Sequence, residues 1–393
     1  MIAAAHPPLT TETIADSQGF DSLKHTWDEL VGASRSSVFQ THSWLRVWWR
    51  HFGERHPLRE LHLVLVKRGA DVVAIAPFYI DSTILSRLAR TRQLRFLSDE
   101  VSDYGDMILL PGHEEEALRA IASHLAGLWK SIDSISLQHI PDASASRCLM
   151  TEMLVTGGVP ASLVQADTCT AVDLLATWDE TLDGIENSKR KFLLKKHRTL
   201  MRAARVEFEI TSDPLKLGRD LTDFVNLHQQ RMTEVGNTGF FSHHGNESFL
   251  REIYGELLGQ GRLMLSFLSV NGKRVAASCS YHFANRVSAH LSGLGEEEGL
   301  LKLSPGIVMH FLCMREACRR KAVAYDFLRG TEGYKYRMGA SNHPVWRIHA
   351  HRIRPGVRIL GHTGTLVRRS RGILSHLKRS DRNDTQTPCN HHE

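Results

Sequence analysis

The sequence predicts an α/β chain of the α+β kind, built from two successive units, each a mixed twisted sheet flanked by helices. Three observations predict it. Apolar residues switch repeatedly between helical and strand spacing along almost the whole chain. Two stretches about 200 residues apart resemble each other: Leu65-Val66-Lys67-Arg68-Gly69-Ala70-Asp71-Val72-Val73-Ala74 and Leu268-Ser269-Val270-Asn271-Gly272-Lys273-Arg274-Val275-Ala276-Ala277. Both read strand, glycine turn, then Val-Ala opening the next strand, with helices before and a further strand after. The length of 393 residues also suits two units, each of roughly 150–200 residues with its own core.

In the first unit, Leu23, Trp27, Leu30 and Val31 predict a helix over 20–31. Trp44, Leu45, Trp48, Trp49 and Phe52 predict a second, capped by Thr41 or Ser43. Strands follow at 61–66 and 72–80 as a hairpin, then at 94–97 and 107–110, a helix at 114–130 and a strand at 135–140. Residues 141–170 carry Gly157, Gly158 and Pro160 and little periodicity, so the junction is expected near their end. The second unit reads as helices at 188–205, 215–234, 247–258 and 304–321 and strands at 206–210, 263–270, 274–283, 287–294, 322–328 and 345–353. Asn271-Gly272 marks a hairpin turn. The expected division is a flexible N-terminus over 1–18, a first domain over 19–168, a second over 169–353 and a basic tail over 354–393.

Charge is unevenly spread. The chain has 49 Lys+Arg against 43 Asp+Glu, a net +6. Residues 352–393 hold 9 of the basic and 3 of the acidic residues, leaving 40 of each before them. The excess is a tail, which argues against a nucleic-acid binder with a basic fold surface. The tail reads either as a solvated segment or as a helix lying on anionic lipid. The first sixteen residues hold no Lys or Arg and no apolar run, unlike a secretory signal. The apolar stretch Val72–Ile80 is too short to cross a membrane and is broken by Pro77. The six cysteines are scattered and read as free thiols of a reducing cytosol. No His/Cys cluster has ligand spacing, so no metal is expected.

Three features bear on chemistry. Ser304-Pro305-Gly306 opens a helix after a strand, with Ser304 as N-cap and Pro305 in the first turn. Such an end is either simply a capped helix or a seat for a pyrophosphate. Asp326 interrupts an apolar strand, and Arg329, Lys335 and Arg337 are its candidate partners; it is either a buried bridge or a working carboxylate. The 188–205 helix carries eight basic residues and no acid. It is either a solvated face or one that meets phosphates.

These residues together resemble a known family. Phe39-Gln40-Thr41-His42-Ser43-Trp44 with Trp48-Trp49, Leu94-Arg95-Phe96-Leu97, Ser102-Asp103-Tyr104-Gly105-Asp106 and the basic helix come in that order. After them come His228-Gln229-Gln230-Arg231, Ser304-Pro305-Gly306 and Tyr325-Asp326-Phe327-Leu328-Arg329-Gly330 with Tyr334-Lys335-Tyr336-Arg337. This order resembles the CelD-type acetyltransferases of the GNAT superfamily, associated with cellulose and exopolysaccharide biosynthesis. The FemAB peptidyltransferases, which also pair two GNAT-like units, are more distant.

The resemblance implies acyl transfer from acyl-CoA, such as acetyl-CoA, to an amine or hydroxyl of a sugar or amino-acid type acceptor, with no metal. It places a pyrophosphate at the helix beginning at Ser304. It implies Asp326, Lys335 and Tyr334 as catalytic residues, with Tyr334 protonating the leaving thiolate. Ser304, Gly306 and Arg329 would bind the cofactor, and Asp103, Tyr104 and Arg231 the acceptor. An aminoacyl-tRNA-dependent transferase and a non-catalytic scaffold are the alternatives, tRNA being the one nucleic-acid partner considered. The expected location is the cytoplasm, with the tail allowing a peripheral place at the inner membrane face.

Overall fold

Strands form where β-branched and apolar residues run between turn signals, and helices where apolar residues recur every three to four positions. The computed structural model describes residues 7–86, 89–295 and 301–352; the basic tail expected over 354–393 lies outside them. The first repeat runs β1 (Leu9–Ile14), α1 (Ser17–Ser22), α2 (Lys24–Ala33), α3 (His42–Trp48), β2 (Arg59–Arg68), β3 (Asp71–Ser86), β4 (Ala89–Phe96), β5 (Ile108–Leu109), α4 (Glu114–Leu128), β6 (Ser134–Pro141), α5 (Ala145–Thr156) and β7 (Ala161–Asp173). The second runs α6 (Trp178–Gly184), α7 (Asn187–Ala203), β8 (Val206–Ile210), α8 (Pro214–Glu234), α9 (Asn246–Gly259), β9 (Leu263–Val270), β10 (Lys273–Phe283), β11 (Arg286–Leu294), α10 (Pro305–Arg319), β12 (Ala324–Arg329), α11 (Gly333–Arg337) and β13 (Ser341–His351).

One 13-stranded mixed sheet contains both repeats, in the order β1-β2-β3-β4-β6-β13-β7-β12-β11-β10-β9-β8, with β5 paired to β3. The order is the same from either edge. The two hairpins that resemble each other in sequence, β2–β3 and β9–β10, occupy equivalent places. So do the parallel pairs β4–β6 and β11–β12. At the centre the closing strands are exchanged: β13 lies beside β6, and β7 beside β12. The 168/169 boundary thus falls inside β7, a strand that serves both repeats. Residues up to Ala350 form one compact unit.

Three apolar layers enclose the sheet. One joins the repeats, packing Trp27, Trp44 and Trp48 with Phe224, Phe249 and Tyr254. The others lie under α4 and α5 and under α10, each completed by the exchanged strand of the other repeat: Ile348 and Ala350 of β13 in the first, Val172 of β7 in the second.

Two expectations need correction. Residues 9–14 do not belong to a flexible N-terminus. Their threonines and flanking Leu9 and Ile14 suit a strand, and β1 pairs with β2 over six residues. Residues 141–170 are not irregular either. They hold α5, capped by Ser144, and most of β7.

Candidate active site

The strands β11 and β12 run parallel only at Arg286–Ala324, Val287–Tyr325 and Ser288–Asp326. Beyond that they part. Two features drive the divergence. At the β10–β11 ladder, Cys279 and Ser280 oppose Leu291 and Ala289, so His290 is an extra, bulged residue. In β12, Leu328 adopts a left-handed φ of 59° and turns the strand towards β7. The outer half of β11 has no strand partner on its β12 side, where Ser292 O accepts from His228 Nδ1. Gly295 N–H bonds to Val275 O on the β10 side, so by strand alternation Ser292 and Leu294 present their peptide groups to the opening.

Two cavities lie in this opening. The larger, about 480 Å3, is lined by His228, Phe240, His290, Phe327, Arg329 and Lys335, among others. The smaller, about 240 Å3, is lined by Arg231, Gly293, Leu294, Ser304, Pro305 and Gly306, among others. Ser292, His310 and Tyr334 line both. Gly293 allows this geometry: a Cβ there would lie 2.7 Å from His228 N, so only glycine lets α8 approach β11 so closely.

The predicted site residues divide into three groups. Ser304, Gly306 and Arg231 come together at the start of α10. Arg231 therefore stands with the expected phosphate seat and not with Asp103 and Tyr104, correcting its place on the acceptor side. Ser304 is the N-cap residue but its side chain caps nothing, because its backbone is left-handed, φ 58°. Its carbonyl instead accepts from the N–H groups of Ile307 at 3.1 Å and Val308 at 3.2 Å. Pro305 has no N–H, which leaves Gly306 as the first free donor at the positive end of a 15-residue helix. Arg231, ion-paired with Glu234, adds charge. This combination fits an anion.

Asp103, Tyr104, Asp326 and Arg329 form a second group, between the repeats. Asp326 is fully buried. Its Oδ2 accepts from the Tyr104 hydroxyl at 2.8 Å and from Arg286 at 3.3 Å, and its Oδ1 from Leu328 N–H at 2.8 Å. Burial pushes its carboxyl above the usual range, against the pull of Arg286. It lines neither cavity, which corrects its expected place at the reacting atoms. Its partner is Arg286 and not Arg329, Lys335 or Arg337. Arg329 instead bonds Asp103 and donates to His139 Nε2 at 3.1 Å. Asp103 and Tyr104 likewise face this network and not the cavities.

The third group is Tyr334 and Lys335. Lys335 is 3% exposed, and its ammonium donates to the carbonyls of Phe327 at 3.2 Å, Arg329 at 2.8 Å and Gly330 at 3.2 Å. With its donors so engaged, it fixes the end of β12 while bordering the larger cavity. Tyr334 stacks on His310, ring centroids 5.6 Å apart, and its hydroxyl has no hydrogen-bond partner among the described residues. Burial raises its phenol.

Sequence reasoning missed three histidines as site residues. His228, noted only within a motif, bonds Ser292 O through Nδ1 at 2.8 Å. His290 Nδ1 lies 2.8 Å from the Tyr281 hydroxyl. His310 Nδ1 lies 3.1 Å from the Tyr325 hydroxyl. Burial pushes His290 and His310 down to about 4. His310 sits in an apolar run and His290 in a strand of small and apolar residues, where the sequence carries no sign of a cavity; His228 opens the polar run His228-Gln229-Gln230-Arg231. Of the seven basic residues on α7, two have acidic partners from outside the helix, Lys189 with Glu186 and Arg190 with Asp183; Arg205, just past its end, pairs with Glu207. The described residues hold no cluster suited to a metal ion and no helix long and apolar enough to cross a membrane.

Residues 187–336 match a family model described as an acetyltransferase (GNAT) domain. No curated protein matches the chain. Among solved structures, FemX has 12% identity and a TM-score of 0.61, covering 89% of this chain and 99% of its own. The C-terminal domain of a putative lysylphosphatidylglycerol synthetase from Agrobacterium fabrum has 10% identity and a TM-score of 0.53, covering 90% and 97%. L-PGS from Bacillus licheniformis has 11% identity and a TM-score of 0.52, covering 88% and 96%. At these identities the likeness concerns the fold. The chain therefore has a tandem GNAT-like fold, and its residues 187–336 match the GNAT acetyltransferase domain.

Proposed function

We propose that the protein is an acyltransferase that moves an acyl group from acyl-CoA to an amine or hydroxyl of a sugar or amino-acid type acceptor, in exopolysaccharide or cellulose biosynthesis. The observation that carries this reading is the meeting of two cavities at Ser292, His310 and Tyr334, one of them opening on the start of α10. The donor's diphosphate would lie at Gly306 and Arg231, where the helix end and the guanidinium attract it. Its acyl arm would run along the outer half of β11. The acceptor would enter the larger cavity.

The acceptor nitrogen or oxygen attacks the thioester carbonyl and forms the new C–N or C–O bond. The oxyanion draws on backbone N–H groups of the β11 edge. As the C–S bond breaks, the Tyr334 hydroxyl protonates the thiolate. Asp326 and Lys335 act by holding β12 in the turned conformation that keeps the cleft open. The catalytic unit is residues 169–353, with the first repeat supplying β13's neighbour and Tyr104. The setting is cytoplasmic, with residues 354–393 reaching an anionic inner membrane face.

A second reading is transfer of an aminoacyl group from charged tRNA. It is favoured by the cations on α7 that have no acidic partner among the described residues, Lys191, Lys195, Arg198 and Arg202. A non-catalytic scaffold is the third. Thermal unfolding with acetyl-CoA, longer acyl-CoAs and CoA, paired with thiol release in the presence of amino sugars and amino acids, separates them. Stabilisation with thiol release supports CoA-dependent transfer. No shift with any CoA species contradicts it.

A further inference from the structure

We propose that His310 is the base of the transfer reaction: its Nε2 takes the proton from the attacking acceptor, while Nδ1–H is held by the Tyr325 hydroxyl. This deepens the acyltransferase reading and rests on it.

Three observations converge on this residue. It is one of the side chains shared by the two cavities, which is where a donor carbonyl and an acceptor must meet. Its ring is clamped. Nδ1 lies 3.1 Å from Tyr325 Oη, Tyr334 stacks on one face at an interplanar angle of 22°, and Phe327 meets it edge-on at 5.3 Å. Nε2 has no partner among the described residues. With Nδ1 engaged by Tyr325, Nε2 is the ring nitrogen left for a group that enters the cavities His310 lines.

Tyr325 and Phe327 of β12 and Tyr334 of α11 touch the ring, the Lys335 charge acts on it, and Arg231 and His228 of α8 and Ser292 of β11 line the same cavities. Burial, then the Lys335 charge, pushes the imidazole down to about 4, so its lone pair is available throughout neutral pH. The other candidates fail on geometry. Asp326 lines no cavity. His228 uses Nδ1 on Ser292 O and accepts at Nε2 from Phe240 N–H at 3.4 Å.

The step balances. The acceptor's N–H or O–H proton goes to Nε2 as its lone pair forms the bond to the carbonyl carbon. The C–S pair leaves with sulfur and takes the Tyr334 proton. Tyr334 and the imidazolium then re-equilibrate, giving the acylated acceptor and CoA thiol.

The test uses the full chain. Acetyl-CoA binding is measured by calorimetry, and acetyl transfer to glucosamine and to an amino-acid panel is followed as thiol release for wild type, His310→Gln, His310→Asn and Tyr325→Phe. Nitrogen-15 NMR of the histidines reports the tautomer. The expected result is acetyl-CoA affinity within about threefold of wild type, kcat lower by about 100-fold or more in both His310 variants, and an Nδ1–H tautomer that Tyr325→Phe perturbs. Binding with undiminished kcat in the His310 variants, or an Nε2–H tautomer, overturns the base assignment and leaves the acyltransferase reading standing. No binding and no thiol release by wild type overturns both.

Discussion

The Tyr104 hydroxyl donates to Oδ2 of Asp326 at 2.8 Å, joining residues 222 positions apart. Tyr104 belongs to the first repeat and Asp326 to the second; Asp326 is fully buried and Tyr104 half-buried. The bond closes a network in which Arg329 reaches back to Asp103. The strand end beside the cleft is thus braced by contacts that neither repeat can make alone.

Tyr104→Phe leaves the Asp326 carboxylate one donor short in a buried place. We expect a loss of about 1–3 kcal/mol in urea unfolding, and a larger loss for Asp326→Ala. A Tyr104→Phe variant as stable as wild type would contradict the clasp.

Lys335→Met removes the donor shared by three carbonyls at the end of β12. We expect destabilisation of about 2–4 kcal/mol by urea unfolding. Acetyl-CoA affinity should change less than kcat, because the lysine borders the acceptor cavity and not the smaller one.

Gly293→Ala places a methyl 2.7 Å from the His228 backbone nitrogen and 2.8 Å from Leu227. Helix α8 must move off β11, at a cost of about 1–3 kcal/mol. Thermal unfolding and acetyl-CoA binding should both weaken. Normal values for both would mean that α8 gives way freely.

His139, His290 and His310 are each held at about 4 against an ordinary 6.5. The unfolded chain therefore binds more protons than the folded one between those values. Their contribution to stability is present above pH 6.5 and is lost as pH falls towards 4. Asp99, raised to about 6, works in the opposite direction over part of that range. In urea unfolding across this window, His310→Asn should lower the slope of stability against pH by about 1.4 kcal/mol per unit, one proton's worth. An unchanged slope would mean that His310 titrates normally.

Much of this fold is legible in the sequence. The strand ranges 206–210 and 263–270 coincide with β8 and β9, because Asn271-Gly272 and the flanking helices leave little freedom. The likeness of 65–74 to 268–277 points to the duplication that the sheet order bears out. The helix α5 and strand β7 are hidden, because Gly157, Gly158 and Pro160 interrupt a segment whose apolar residues keep no long-range period. The exchange of β7 and β13 has no local signature, since it depends on pairing between distant strands.

The site is less legible. Ser304, Gly306 and Tyr334 stand out in the sequence because a helix start and an aromatic-polar cluster are local patterns, and all three line the smaller cavity. Lys335 and Asp326 look reactive in sequence, yet the structure engages their polar atoms. His290 and His310 look like packed core residues, and only the parting of β11 and β12 exposes them to a cavity. A long-range contact such as Tyr104–Asp326 leaves no trace in spacing.

The central claim is that an acyl-CoA lies with its diphosphate at the start of α10. Gly306→Glu tests it most directly. A Cβ there meets nothing closer than Leu294 Cδ1 at 3.9 Å, and a glutamate in a first helical turn is favourable, so the variant should fold with wild-type stability. Its carboxylate would occupy and repel the diphosphate. Calorimetry with acetyl-CoA should give saturable binding to wild type and at least about tenfold weaker binding to Gly306→Glu. Equal affinity for the two proteins, or no binding to wild type, would contradict the account.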